Sequence, residues 1–388
     1  MKTLVQHFAQ DTHWNWLPAA ALATIEQAVA IQQIPAPTFE EGERAAYIAA
    51  QFRALGLCDI QTDAVHNVWG RLPGKRDDVP GVLISAHTDT VFAADTDLAI
   101  RREKELIYGP GLGDNCMGVA GLLALAGAFQ AQRWTPDCDL WFLANSREEG
   151  LGDLGGMKAA FAALRDRIAL VINLEGMAFG HVYRAGIAVR RLHITANTDG
   201  GHSWLHFGRP SAIHGIVRLG AAIASIHPAH TPRTTYNIGM IDGGQTINAI
   251  ATHASLWLDL RSEAPQALAA LENEVRGYVQ GLSTPDLRLS VEVVGDRPAG
   301  AIADDHPLLL GALAALEQVG VHGTLEVGST DANVPLAAGY PAVTIGITRG
   351  GNAHRLDEYI ETEPTATGLR QLVLLTLAAA AHQAGRMV

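Results

Sequence analysis

The chain has 388 residues, with 28 Lys and Arg against 40 Asp and Glu for a formal charge of −12, and 48% of its residues are hydrophobic. That length suggests two or three domains with ample core, and the balance is that of a folded acidic protein rather than a disordered one. Its cations are scattered rather than clustered, which argues against nucleic acid and against an anionic membrane surface as partners.

The opening MKTLVQHFAQDTHWNW carries His, Gln and Asp where an export signal needs an unbroken apolar run, so none is expected. Residues Ala19 to Leu57 follow a helical period that IPAPTFEE interrupts, because Pro35 and Pro37 force a loop. Short apolar runs then alternate with helical ones. GVLISA reads as a strand, about Met117–Gln130 as a helix, DLWFLAN as a strand, about Leu154–Leu164 as a helix and LVINLE as a strand. This alternation predicts an α/β fold, a mixed and largely parallel sheet flanked by helices. VAGLLALAGAF and LVLLTLAAAA fall short of the ~18 apolar residues of a membrane span and read as buried helices.

From about Ala188 to Val294 the texture changes to strand, helix, strand, strand, helix, strand, the order of a ferredoxin-like unit. Alternation in SLWLDLR and LSVEVVG gives those strands one wet face. The expected organisation is a discontinuous large domain, 1–187 and 295–388, carrying an inserted small domain, 188–294. After the insert come a helix in PLLLGALAALEQVG, a strand in PAVTIGI and a final helix ending near Ala384. Cys58, Cys116 and Cys138, an odd count with no CxxC, indicate neither a disulfide framework nor a thiolate zinc site and suit a reducing cytoplasm.

Ligands of open α/β sheets bind beyond the carboxyl ends of the strands. There GVLISA runs into His87 and Asp89, DLWFLAN into Glu148 and Glu149, LVIN into Glu175, and AVTIGI through a short loop into His354. Asp114 lies in GPGLGDNCMG at the start of a helix. Imidazole and carboxylate without thiolate suit zinc, with cobalt or manganese as substitutes. These groups exceed what one tetrahedral zinc needs once a water position is left open, and a carboxylate such as Asp114 can bridge two ions, so a two-metal site is the economical reading. Residues two apart on an extended segment point the same way, which lets Asp89 orient His87. The adjacent Glu148 and Glu149 point oppositely, so that one can bind metal while the other takes a proton from water. GPGLGDN looks like a phosphate loop, but Asp114 would repel a phosphate there. No GxSxG elbow is present, which leaves Ser203, beside His202, as the weak basis of a serine-hydrolase alternative.

The segments SAHTDTV, GPGLGDNCMG, SREEG, INLEG, GGHSW, DGGQTIN, LWLDLRS, GSTDAN and NAHRLDEYI, in this order, resemble the cocatalytic zinc peptidases and deacylases. That family includes glutamate carboxypeptidase, acetylornithine deacetylase, succinyl-diaminopimelate desuccinylase, aminoacylase and tripeptidase. The resemblance implies two zinc ions, one held by His87, Asp114 and Glu175 and the other by Asp114, Glu149 and His354, with a cis Asp114–Asn115 peptide. It implies Glu148 as general base, Asp89 as the residue orienting His87, and His202 as the group polarising the scissile carbonyl. Asn248, Arg261 and Arg297 fall where the family holds a substrate carboxylate, and a guanidinium fork suits that task. Trp204 is bulkier than the residue many members carry after the lid histidine. The implied activity is hydrolysis of an amide bond in a short peptide or N-acyl amino acid with a free carboxylate, of carboxypeptidase or deacylase type. The small domain would be a lid and dimerisation domain making a homodimer. A non-catalytic metal-binding scaffold of the same fold is the other alternative.

Overall fold

GVLISAH forms the strand Gly81–His87 and is buried along its whole length. Parallel neighbours flank it, Leu140–Asn145 on one side and Ile168–Leu174 on the other, with Ala342–Ile345 parallel beyond the latter. Strands covered on both faces need apolar side chains at every position, which is why these runs are continuous rather than alternating. The margins of the sheet are antiparallel. Val68–Leu72 and Cys58–Thr62 extend it beyond Leu140–Asn145, and His181–Gly186 and Gly300–Ala301 extend it beyond Ala342–Ile345. Thr324–Gly328 lies parallel against His181–Gly186.

The computed structural model describes residues 1–386; residues 387 and 388, the last of the expected large domain, lie outside the described residues. Two units emerge, a large one of Met1–Gly186 and Gly300 onward, and a small one of Ile187–Ala299. In the large unit the helices Met117–Ala131 and Thr365–Gln383 pack on Gly81–His87 and Ile168–Leu174. Leu112–Ala131 is apolar and long enough to cross a membrane by composition, yet 83% of that window is buried inside the protein, so it is a core helix. The helix Lys2–Asp11 covers Thr365–Gln383 and Pro307–Gln318, burying Leu4 and Val5. A second, four-stranded sheet of Gly350–Gly351, Tyr359–Glu361, Leu106–Tyr108 and Arg101–Glu103 was not foreseen, because two- and three-residue strands carry no period.

In the small unit four antiparallel strands lie in the order Thr234–Gly243, His253–Ser262, Ala188–Asn197, Arg288–Arg297. The helices Ala212–Ala224 and Pro265–Leu282 cover one face, burying Leu192, Ile194, Leu256 and Leu258 against Leu219 and Val275. The intervening Trp257, Asp259 and Arg261 are only partly buried, the wet face that the alternation foretold. A register shift between Val293 and Gly295 breaks that alternation, and the last strand continues to Arg297, past the expected end of the insert at 294.

Candidate metal centre and active site

His87 ends the central strand and is 2% exposed. Its Nδ1 lies 3.2 Å from the carbonyl oxygen of Asp89 and 3.5 Å from Asp89 Oδ1. Nε2 is thereby turned to the pocket, 3.1 Å from Asp114 Oδ1 and 3.5 Å from Glu175 Oε2. The other oxygen of Asp114 is 3.2 Å from His354 Nε2, which also lies 2.9 Å from Glu149 Oε1. One carboxylate therefore faces two imidazoles, one through each oxygen. Ligand atoms of His87, Asp114 and Glu149 all lie within 4.8 Å of one another.

Asp89 is fully buried and works mainly on its neighbours. Its carboxylate accepts the N–H groups of Glu148 and Glu149, each at 2.9 Å, and the hydroxyl of Thr38 at 2.9 Å. Thr38 comes from the Pro35–Pro37 loop, which runs beside the strand end through Thr90 N to Ala36 O and Thr38 N to Thr90 O bonds. The double-proline break is thus a wall of the site. Glu148 and Glu149 are 6% and 7% exposed, fixed through their backbone to the carboxylate that also receives His87.

Asp114 lies on the turn before the helix Met117–Ala131, and its peptide bond to Asn115 is cis. Asn115 Nδ2 donates to Leu174 O at 2.8 Å and Asn115 Oδ1 accepts from Gly176 N at 2.8 Å, clamping the segment that carries Glu175. A Cβ on Gly176 would stand 2.3 Å from Gly113 O, so only glycine lets the Glu175 and Asp114 segments touch.

Three buried carboxyls escaped the sequence reading: Glu41, whose Oε1 accepts the N–H groups of Phe39 at 3.0 Å and Arg147 at 3.1 Å, and two more. Glu358, fully buried, accepts the N–H groups of Gly113 at 2.7 Å and Asp114 at 2.9 Å through Oε1, and that of Gly111 at 3.3 Å through Oε2. Burial pushes its carboxyl up to about 7, against the hold of these three donors. The third is Asp331, bonded to Asn145. Only the fold joins Glu358 to a loop some 245 positions earlier.

The charge of the pocket favours cations. His87, Asp114, Glu149 and Glu175 meet in a space largely closed to water, and Asp114 and Glu149 hold the His354 imidazole up to about 10. Anions that draw protons onto imidazoles so strongly fit divalent ions, and nitrogen with oxygen donors fits zinc and its borderline neighbours.

The other expected site residues lie in the small unit. His202 pairs with Ala249 in a short ladder next to Asn248. Its Nδ1 accepts the N–H groups of Trp204 at 3.2 Å and Leu205 at 3.4 Å, so the neutral ring carries its proton on Nε2. Trp204 is 84% exposed and fills no pocket within this unit. Arg261 and Arg297 flank the same residue, Val189, from opposite neighbouring strands. Arg261 is ion-paired to Asp259 at 2.7 Å, and Arg297 is 4% exposed.

An α/β sheet that gathers two imidazoles and several carboxylates past the carboxyl ends of its strands is the frame of a metal-competent hydrolase. The chain belongs to peptidase family M20/M25/M40, whose family model matches residues 83–378, and it is a hydrolase of peptide or amide bonds. No curated protein matches it as a sequence. Among solved structures it is similar to the aminopeptidase PepT of Bacillus cereus, at 21% identity and TM-score 0.74, covering 93% of this chain and 99% of that one. It is also similar to the dipeptidase Dug1p of Saccharomyces cerevisiae, at 14% identity and TM-score 0.76, covering 98% of both chains. An amidase of the hydantoinase/carbamoylase family from Burkholderia vietnamiensis matches at 15% identity and TM-score 0.73, covering 93% of this chain and 97% of that one. At these identities the likeness is one of fold.

Proposed function

We propose that the chain hydrolyses the amide bond of a short peptide or N-acyl amino acid bearing a free carboxylate, as a two-zinc enzyme in which cobalt or manganese can substitute. The observation that carries the reading is Asp114, whose two oxygens face His87 and His354 at 3.1 and 3.2 Å, the disposition a shared ligand requires. His87, Asp114 and Glu175 would hold one ion, and Asp114, Glu149 and His354 the other. Bound there, the ions supply Lewis-acid polarisation of the carbonyl and a lowered pKa for water.

The residues of the chain do the rest. Asp89 fixes His87 through Nδ1 and presents the backbone of Glu148 and Glu149 to the pocket. Glu148 takes a proton from the attacking water and returns it to the leaving amine. His202, protonated on Nε2, donates to the developing oxyanion of the scissile carbonyl. Arg297, Arg261 and Asn248 hold the substrate carboxylate, with the Arg261 guanidinium already oriented by Asp259. In this reading the large unit is catalytic and the small one a lid and dimerisation unit.

A homodimer through the small unit is supported by its edge strand Thr234–Gly243, where Met240 and Ile241 are more than half exposed, and by Val217, also exposed, on the helix Ala212–Ala224. An apolar unpaired edge is stable when a two-fold copy pairs with it. Free Cys58, Cys116 and Cys138 support a cytoplasmic location.

The test is amine release from N-acyl amino acids, dipeptides and tripeptides, with C-terminally amidated controls. Hydrolysis that stops with a chelator, returns with zinc and fails on the amidated controls is expected. Turnover indifferent to chelation would overturn the proposal.

A further inference from the structure

The proposed mechanism gives the buried carboxyl of Asp331 no task. Asp331 follows the strand Thr324–Gly328 on a turn braced by Thr330 N to Asn333 Oδ1 and Asn333 N to Thr330 O bonds, and it is fully buried. Its Oδ2 accepts Asn145 Nδ2–H at 2.6 Å. Asp331 Oδ1 and Asn145 Oδ1 are both buried and receive no donor. An ionised carboxylate so far from water needs several donors, and this one has a single neutral amide. Two orphan oxygens on two groups already joined have one simple remedy, a proton between them. As the acid, Asp331 would donate Oδ1–H to Asn145 Oδ1 while Asn145 donates Nδ2–H to Oδ2, and all four polar atoms would be satisfied.

We propose that Asp331 is carried as the neutral carboxylic acid, closed head to tail on the carboxamide of Asn145, and acts as a positioning residue for the metal pocket. Asn145 ends the strand Leu140–Asn145, three residues before Glu148. Its carbonyl oxygen accepts both the N–H of Thr88, at 2.7 Å, and the Thr88 hydroxyl, at 3.0 Å. Thr88 is the residue between His87 and Asp89. Holding Asn145 therefore holds the strand end that aims the imidazole and the carboxylate that receives Glu148 and Glu149. A neutral acid does this without adding charge beneath Asp89 and Glu175. Burial, against the opposing pull of His87 and the Asn145 bond and helped by Glu175 and Asp89, pushes the carboxyl up to about 7, in the same direction. The positioning role rests on the metal-centre reading; the protonation does not.

Infrared difference spectra of wild type against Asp331→Asn, at pH ~6 where an ordinary Asp is ionised, test the protonation in metal-free and zinc-loaded protein alike. The expected result is a carboxylic-acid carbonyl band that the variant lacks. Asp331→Asn can close the same ring as an amide pair and should keep zinc affinity. Asp331→Ala orphans both ends of Asn145 and should weaken zinc binding by about 10–100-fold. The exchange Asn145→Asp with Asp331→Asn, which can close the same ring with the acid on the other side, should keep the wild-type affinity. Absence of the band, or Asp331→Asn falling as far as Asp331→Ala, would overturn the neutral acid. Unchanged zinc affinity in Asp331→Ala would overturn the positioning role. If Asp331→Ala does not fold, the band and the exchanged pair decide, and neither needs turnover.

Discussion

Glu358→Gln isolates the cradle beneath the loop that carries Asp114. The wild-type side chain accepts two backbone N–H groups on Oε1, at 2.7 and 2.9 Å, and a third on Oε2 at 3.3 Å. An amide of the same shape keeps its oxygen on Gly113 and Asp114 but turns Nε2 toward the N–H of Gly111, donor against donor. That leaves one buried N–H unsatisfied, at about 1–3 kcal/mol, and weakens the other two bonds from charge-assisted to neutral strength, for a total of about 2–4 kcal/mol. The loss falls on the loop that aims Asp114 at both imidazoles, so zinc affinity should fall with stability. Urea unfolding of the metal-free protein and zinc competition with a chromophoric chelator measure the two effects. Equal unfolding midpoints and equal zinc affinity in variant and wild type would refute the reasoning.

Glu148→Gln should retain bound metal and lose turnover by about 10²–10⁴-fold, whereas Glu149→Ala should lose metal, as metal analysis beside initial rates will show. Gly176→Ala puts a Cβ 2.3 Å from Gly113 O and should spread the Glu175 and Asp114 segments, lowering zinc affinity and the unfolding midpoint together. Chelation should destabilise the protein by about 2.7 kcal/mol for each zinc site, relative to zinc at a hundred times that site's Kd, read from the shift in thermal midpoint. Met240→Glu with Ile241→Lys, both exposed on the edge strand, should yield a monomer in sedimentation that still folds, with a thermal midpoint that no longer rises with protein concentration.

The strand ends were legible because the central strands are buried on both faces and write uninterrupted apolar runs, so the first polar residue after each run marks the sheet edge. His87, Asp89, Glu148, Glu149 and Glu175 all declare themselves this way. His354 and Asp114 are placed by loops, and it was the strand run ahead of His354 and the helix start after Asp114 that drew attention to them. Glu358 and Asp331 stayed hidden because they bond to backbone and amide groups far away in sequence, and a buried acid next to Tyr or Ala carries no local mark of burial. Asn115 draws notice in the sequence only as the neighbour of Asp114, although it ties the Asp114 and Glu175 segments together. The small sheet around Tyr359–Glu361 was missed because strands of two or three residues are too short to establish an alternation.

Gly186 and Gly300, the two points where the chain leaves and re-enters the large unit, face each other as partners in one antiparallel ladder. A hairpin turn of two residues is the ordinary way to join such partners. The small unit is therefore a cassette plugged into a ready-made socket. The expected metal ligands all lie outside the cassette, so on the proposed function exchanging the cassette should leave metal binding intact while altering which substrates are held and removing the His202 donor.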